Sequence, residues 1–351
     1  MKIKINNNRF VGKDEQPYII AELGSNHNGD MELAKKLIDS AKRAGADCVK
    51  FQSWSKESIF SKIKYEENFF LSDDYRNRDD YSLENIVEEY SISEEQLIEM
   101  RDYSQKIGIN FTSTPFSKRE VDFMVEHLNV DFIKIASMDL NNYQFLDYIA
   151  RKGKPIVLST GLSTLAEIDK AVSVIEEAGN DQLVILHCVA IYPPEDKQVN
   201  LNNIASLSNL YPYPIGFSDH SIGTCIPLAA VAKGACVIEK HFTLDKDMEG
   251  WDHKVSANPD EMAIITNDSK HIFNALGSKR ITRVEPKDRV SEFRRSIVAS
   301  RDIVIGEIFT DEMLDYKRPG GGFDPEYKDF ILGRSAQRNI SYDHIISSED
   351  I

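Results

Sequence analysis

The sequence predicts an α/β fold, a (β/α)8 barrel of the TIM type, followed by a small β-rich module. Three observations carry this expectation. Apolar, β-branched runs alternate eight times with amphipathic stretches between Tyr18 and about Leu276, the pattern of repeated strand–helix units. Polar motifs stand where strands should end: Ala21–His27, Val49–Gln52, Ser113–Phe116, Ser159–Gly161, Ser218–His220 and Glu239–Phe242. In a parallel barrel the strand C-termini meet on one rim, and that rim carries the chemistry. Finally, no glycine-rich dinucleotide turn follows the first run, which disfavours an open doubly wound sheet.

The expected strands are Tyr18–Ala21, Cys48–Phe51, Ile109–Thr112, Phe132–Ile135, Ile156–Leu158, Leu183–Leu186, Ile215–Phe217 and Cys236–Ile238. Between them, apolar residues three and four apart predict helices over Met31–Ala44, Glu95–Ile107, Leu165–Ala178 and Ile226–Lys233. One connection is long: 53–93 is rich in Tyr, Phe, Asp, Asn and Lys without a clean period, which suits a lid or substrate loop, or a solvated excursion with short helices. A charged stretch over 277–296 reads as a linker between a catalytic barrel, 1–276, and a module over 297–351. That module shows short apolar runs and tight glycine turns, the signature of a compact β-domain.

Composition narrows the partners. Formal charge is −15 from 42 basic and 57 acidic residues, which argues against nucleic acid, whose phosphates need a basic surface. No run reaches the length of a membrane span, and the first residues lack a signal-peptide core. A cytoplasmic protein without a membrane partner is expected. The four cysteines, Cys48, Cys188, Cys225 and Cys236, have no metal or redox spacing and read as reduced, mostly buried thiols.

On the rim, Glu22 ends the first strand beside Ile20 and Ala21, where a carboxylate is costly unless paired or used. Lys50 and Lys134 sit in or at the ends of apolar strands. Two converging cations suit a phosphate or carboxylate, with Thr114, Ser137, Ser159 and Ser218 as neutral donors. His220 and His241 end the last two strands, which should pair. Two neighbouring imidazoles can hold a divalent metal, act as acid and base, or serve as hydrogen-bonded core groups. Glu239 shares a strand face with His241, one layer deeper, and is expected to pair with Lys134 or Lys50. His187, beside Cys188, reads as a packing residue.

Taken together, Ile19–Gln52, Ser113–Ser117, Lys134–Ser137, Ser159–Gly161 and Ile215–Pro259 resemble the sialic acid synthase family, including its legionaminate and pseudaminate branches. Lys317–Gly320 and Leu332–Arg334 resemble that family's C-terminal antifreeze-like (SAF) domain. The resemblance implies a phosphoenolpyruvate-dependent synthase that joins phosphoenolpyruvate to N-acetylmannosamine or a related hexosamine and releases phosphate. It assigns Glu22 to the reacting centre, and Lys50, Thr114, Lys134, Ser137, Ser159 and Ser218 to phosphoenolpyruvate. His220 and His241 would ligate Mn2+ or Mg2+, and Asp139, Tyr192 and Asp252 would contact the sugar. Arg318 would reach the sugar from a partner subunit in a homodimer whose SAF domain caps the neighbouring barrel.

The sequence departs from the family pattern on the sugar side. Ala190 stands where relatives often carry a polar residue, Trp251 where proline is common, and 53–93 aligns poorly. The acceptor is therefore open between N-acetylmannosamine and a 2,4-diacetamido-trideoxy hexose. A Schiff-base aldolase, another deoxy-ulosonate synthase using a phosphorylated sugar, and a non-catalytic sugar- or phosphate-binding barrel are the remaining readings.

Overall fold

The computed structural model describes residues 1–6, 9–68 and 82–351. The chain divides into two compact units, Met1–Gly277 and Ser278–Ile351. The first opens with an antiparallel hairpin, β1 (Lys2–Asn6) and β2 (Arg9–Gly12). Eight strands follow: β3 (Tyr18–Gly24), β4 (Cys48–Gln52), β5 (Asn110–Thr114), β6 (Ile133–Ile135), β7 (Ile156–Ser159), β8 (Leu183–Cys188), β9 (Ile215–Asp219) and β10 (Val237–His241). Their order in the sheet is β5-β4-β3-β10-β9-β8-β7-β6, every pairing parallel. Among the described residues no ladder joins β5 to β6. Thr112 Oγ1 instead donates to the Phe132 carbonyl at 2.8 Å across that seam, leaving a nearly closed barrel.

Each strand begins close to where the apolar run predicts, but most continue further into polar sequence. β3 extends through Glu22 to Gly24 because the backbone ladder continues: Glu22 registers with Lys50 on one side and His241 on the other. Apolarity marks what is buried among carbon, whereas the ladder needs only backbone N–H and C=O. At the opposite end of the barrel, Ile3, Ile5 and Val11 of the hairpin pack with Tyr18, Ile20, Phe132 and Val184. The larger core lies between strands and helices and includes Ile19, Val49, Ile133, Leu158, Ile185 and Ile238.

The helices start where the sequence can satisfy free N–H groups. Asp30 caps Met31–Arg43, accepting from the backbone N–H groups of Glu32 and Leu33. Capping boxes open Glu94–Ile107 at Ser93, Leu165–Glu177 at Thr164 and Pro259–Leu276 at Asn258. Gly108, at φ 74°, closes Glu94–Ile107 in the left-handed conformation that glycine adopts without steric cost.

The described parts of the long connection form short helices, the second of the two expectations, but part of them is buried rather than solvated. Part of 53–93, residues 69–81, lies outside the described residues. The flanking stretches form helices Lys56–Ile59, Lys62–Glu67 and Leu83–Tyr90. Leu83, Ile86, Val87 and Tyr90 are buried together with Trp54. Their three- and four-residue spacing is a helical period, too short to stand out beside the polar sequence before it.

The second unit is described by itself. Its strands β11 (Ser296–Ala299) and β12 (Leu314–Lys317) pair antiparallel, and single bridges join Val298 to Ile345, Ile303 to Ile340 and Ile308 to Ser335. Ile297, Ile303, Phe309, Ile331, Ile340 and Ile346 form its core. Within the stretch read as a linker, Lys287–Phe293 is helical. Asp350 is buried and accepts from Arg338 Nε at 2.6 Å and from Ser347 N at 2.7 Å. These bonds pin the C-terminal turn to the unit.

Candidate active site

Strand register places the rim residues together. Glu22, Lys50, Thr114, Lys134, Ser137, Ser159, Tyr192, Ser218, His220, Glu239 and His241 line one cavity at the C-terminal end of the barrel. Its floor is a buried charge cluster. Lys50 Nζ contacts Glu22 Oε2, donates to Thr114 Oγ1 at 3.0 Å and lies 3.9 Å from Glu239 Oε2. Lys134 Nζ donates to Ser159 Oγ at 2.7 Å and to the Ile135 carbonyl at 2.8 Å, and lies 3.7 Å from Glu239 Oε1. Ser218 Oγ donates to Glu239 Oε1 at 3.0 Å. The pairing expected of Glu239 is thus made to both lysines.

Burial dominates the electrostatics. Desolvation pushes the Glu22 carboxyl up to about 7, with the Lys50 charge opposing and Glu239 adding to the rise. Burial alone would raise Glu239 as well, but Lys134 and Lys50 outweigh it and hold that carboxyl below its ordinary value. Lys134 is pushed down, chiefly by burial. For Lys50, burial acts downward, but attraction to Glu22 and Glu239 prevails and raises it. With Glu239 ionised and Glu22 able to hold a proton near neutrality, the cluster can carry net positive charge. An incoming phosphate or carboxylate would meet two desolvated cations.

The two histidines are neighbours, with ring centroids 5.5 Å apart. His220 Nδ1 faces the Val189 carbonyl at 2.9 Å, which leaves Nε2 toward the cavity. His241 Nδ1 is buried and has no hydrogen-bond partner among the described residues; Asp252 Oδ2 is 3.6 Å away. Burial, then the His220 charge, push His241 far down, so its imidazole is neutral, the form that binds a metal. Among the described residues no group of three or more His, Cys, Asp and Glu side chains is arranged to hold a metal. Two neighbouring imidazoles, one with an orphaned nitrogen, nevertheless fit a divalent cation that takes its other ligands from substrate or water.

The remaining sequence-derived residues fall in different places. The Tyr192 ring packs 4.0 Å from the His220 ring. Asp252 does not line the cavity itself; its Oδ2 accepts from Ser25 Oγ at 3.4 Å and lies 3.6 Å from His241 Nδ1. Asp139 ends the turn Ser137–Asp139, does not line the cavity, and has Asn142 Nδ2 at 3.5 Å. Arg318 belongs to the second unit, its guanidinium 5.7 Å from the Phe293 ring centroid. His187 Nε2 faces the Val199 carbonyl at 2.7 Å and its ring stacks on Phe217, so it is a packing residue.

Sequence reading passed over three features. Gln52 Nε2 donates to Glu22 Oε1 at 3.0 Å, and Trp54 Nε1 donates to Gln52 Oε1 at 2.8 Å, so a relay orients the carboxyl. Gln52 stood in the Val49–Gln52 motif, and its position two residues after Lys50 was the available signal. Cys188 lines the cavity, its Sγ 4.0 Å from His220 Nδ1. One wall is apolar, built by Trp54, Ile59, Phe60, Val87, Phe116 and Trp251. Trp251 packs on Trp54 and Tyr90 at 6.2 and 5.8 Å between centroids. No local signal joins these residues.

A parallel barrel with lysines, carboxylates and histidines converging at its C-terminal rim defines an enzyme of the β/α-barrel class. The chain belongs to the NeuB family, whose model matches residues 37–281, and residues 294–351 match the SAF domain. It is 42% identical over its whole length to an uncharacterized protein of Methanocaldococcus jannaschii, covering 98% of that protein. It is 39% identical to an N,N'-diacetyllegionaminic acid synthase of Campylobacter jejuni, over 93% of this chain and 98% of the relative. Among solved structures, the N-acetylneuraminic acid (sialic acid) synthetase of Leptospira borgpetersenii, in complex with citrate, superposes with a TM-score of 0.73. That pair is 33% identical, and the match covers 82% of this chain and 94% of the other.

Proposed function

We propose that this enzyme condenses phosphoenolpyruvate with a hexosamine of the N-acetylmannosamine type, giving a nine-carbon ulosonic acid of the sialic class and phosphate. The observation that carries the reading is the buried Lys50–Lys134 pair beside Glu22 and the two histidines in one cavity. Lys50, Thr114, Lys134, Ser137, Ser159 and Ser218 would hold the phosphate and carboxylate of phosphoenolpyruvate. His220 and His241 would hold Mn2+ or Mg2+, which supplies Lewis-acid polarisation of the acceptor carbonyl.

The reaction is a carbon–carbon bond formation followed by cleavage of a C–O bond. C3 of phosphoenolpyruvate attacks the open-chain sugar aldehyde, whose oxygen gains a proton as the new bond forms. Glu22, with a pKa raised to about 7 and its carboxyl oriented by Gln52, is the proton donor for that oxygen. The carboxylate left behind then faces the positive charge developing at C2 and stabilises it. Water adds at C2 and returns one proton to the Glu22 carboxylate; the tetrahedral centre then expels phosphate, which leaves with its C–O oxygen and takes the remaining hydroxyl proton, giving the 2-keto acid. Lys50 and Lys134 stay charged and paired to the departing phosphate.

Asp139, Tyr192 and Asp252 are proposed sugar contacts, completed by Arg318 of the partner subunit in a cytoplasmic homodimer whose SAF domain caps the neighbouring barrel. The apolar wall of Phe60, Val87 and Trp251 favours a second reading of the acceptor. A 2,4-diacetamido-trideoxy hexose presents a methyl carbon and two acetamido methyls, groups that gain from burial against carbon. Incubating the protein with phosphoenolpyruvate, Mn2+ and a panel of hexosamines, with products identified by mass, tests both. Phosphate release requiring both substrates supports a synthase. A trapped pyruvate Schiff base, or binding without turnover, would replace it with an aldolase or a binding barrel.

A further inference from the structure

A second buried ion pair lies just outside the cavity. Lys240 Nζ meets Asp219 Oδ2 at 2.6 Å and donates to the Ser221 carbonyl at 2.5 Å, while Asp219 Oδ1 accepts from Ser221 N at 2.9 Å. Both side chains are at most 1% exposed. Lys240 and Asp219 are register partners across β10 and β9. Because side chains alternate along a strand, they point away from the cavity that Ser218, Glu239 and His241 line.

Sequence position makes the pair informative. Asp219 directly precedes His220, and Lys240 directly precedes His241. The three bonds therefore tie β9, β10 and the turn after His220 at the very residues that carry the imidazoles. His220 has a second anchor in the Val189 carbonyl, but no hydrogen bond fixes the His241 ring among the described residues. Its placement depends on its backbone, through the β3 and β9 neighbours, the Ala257 N–H at 2.7 Å and this pair. A buried ion pair is a poor source of stability, since apolar residues of similar volume often serve as well or better.

We propose that the Lys240–Asp219 pair is a positioning device that sets the separation and facing of His220 and His241 for a divalent cation. The inference rests on the metal reading of those histidines. Neither residue touches substrate or metal; each acts through the backbone of its neighbour.

The test is Mn2+ binding to the metal-free full-length protein, read from the free-ion electron paramagnetic resonance signal, beside a thermal melt. Wild type should bind Mn2+, and His241→Ala should not; if wild type fails, the metal reading and this inference fall together. The double variant Asp219→Leu/Lys240→Met removes both charges without leaving one unpaired. It is expected to bind Mn2+ about 10–100-fold more weakly, the range for residues that orient ligands, with phosphoenolpyruvate binding unchanged. Lys240→Arg keeps the charge but, with a planar fork in place of a point charge, cannot reproduce both contacts; it should fold and lose at least about threefold in Mn2+ affinity. Wild-type Mn2+ affinity in the folded variants, even with a lower melting temperature, would make the pair a stabiliser only and overturn the proposal. Should the double variant not fold, Lys240→Arg decides by the same criterion.

Discussion

On the inner side of β10, Glu239 lies 3.7 Å from Lys134 and 3.9 Å from Lys50, with one oxygen lacking a hydrogen bond among the described residues. On the outer side, one residue along, Lys240 closes on Asp219 at 2.6 Å and both carboxylate oxygens are occupied. Two buried carboxylates thus sit one residue apart in this strand pair, yet Glu239 is loosely paired, although Lys50 beside it also closes on Glu22, and Asp219 is saturated. Loose pairing among desolvated ions leaves free energy to be gained from a ligand, while saturated pairing leaves none and serves only to hold shape. The inner layer reads as binding machinery and the outer as scaffold.

Perturbing the inner layer should have the larger kinetic consequences. His241→Ala should lower kcat by roughly 10^4-fold, because Lewis-acid polarisation supplies several kcal/mol. Exhaustive chelation should abolish turnover and added Mn2+ should restore it; full activity in the chelated, metal-free protein would break the metal assignment. Glu22→Gln should cost roughly 10^3-fold, within the range of general acid catalysis, and it should also change the pH profile. In wild type the proton on Glu22 is lost as pH rises through about 7, so kcat/KM should fall above that point. The variant should show no limb there; a limb that persists would assign the proton to another group. The same shift affects folding. Because the pKa is raised in the folded state, Glu22 contributes stability below about pH 4.5 that is lost as pH climbs to about 7.

Lys134→Ala should raise KM for phosphoenolpyruvate far more than KM for the sugar, since losing a desolvated partner costs about 2–5 kcal/mol. A rise confined to the sugar would mean that the two substrate pockets are reversed. The smallest effect concerns assembly. An Arg318→Ala chain mixed with a His241→Ala chain should regain about one quarter of wild-type activity. In the proposed homodimer half of the dimers would be mixed, and each mixed dimer would have one complete site. Mixed dimers that form and stay inactive would leave the cap without a catalytic role in the neighbouring barrel.

Much of the barrel was legible because burial dictates residue type over whole strands. The runs around Ile19, Val49, Ile156 and Val184 can only be core, and the switch from continuous apolar runs to a period near 3.6 marks the strand–helix units. The rim residues were legible for the opposite reason: Glu22, Lys50 and Lys134 are groups that an apolar strand should not contain. The helix Leu83–Tyr90 was not legible, since two turns of apolar period do not rise above a long polar insertion.

The sequence by itself determined which residues end the strands, and parallel pairing then requires His220 and His241 to be neighbours. Only the tertiary structure decided who pairs with whom. That Glu239 is shared by two lysines, that Trp54 orients Gln52 and through it Glu22, and that Trp251 packs on Trp54 follow from residues brought together across the barrel. Local preference acts over a few residues and leaves a trace in the sequence. Contacts between distant segments depend on the register and twist of all eight strands at once, and no single segment records them.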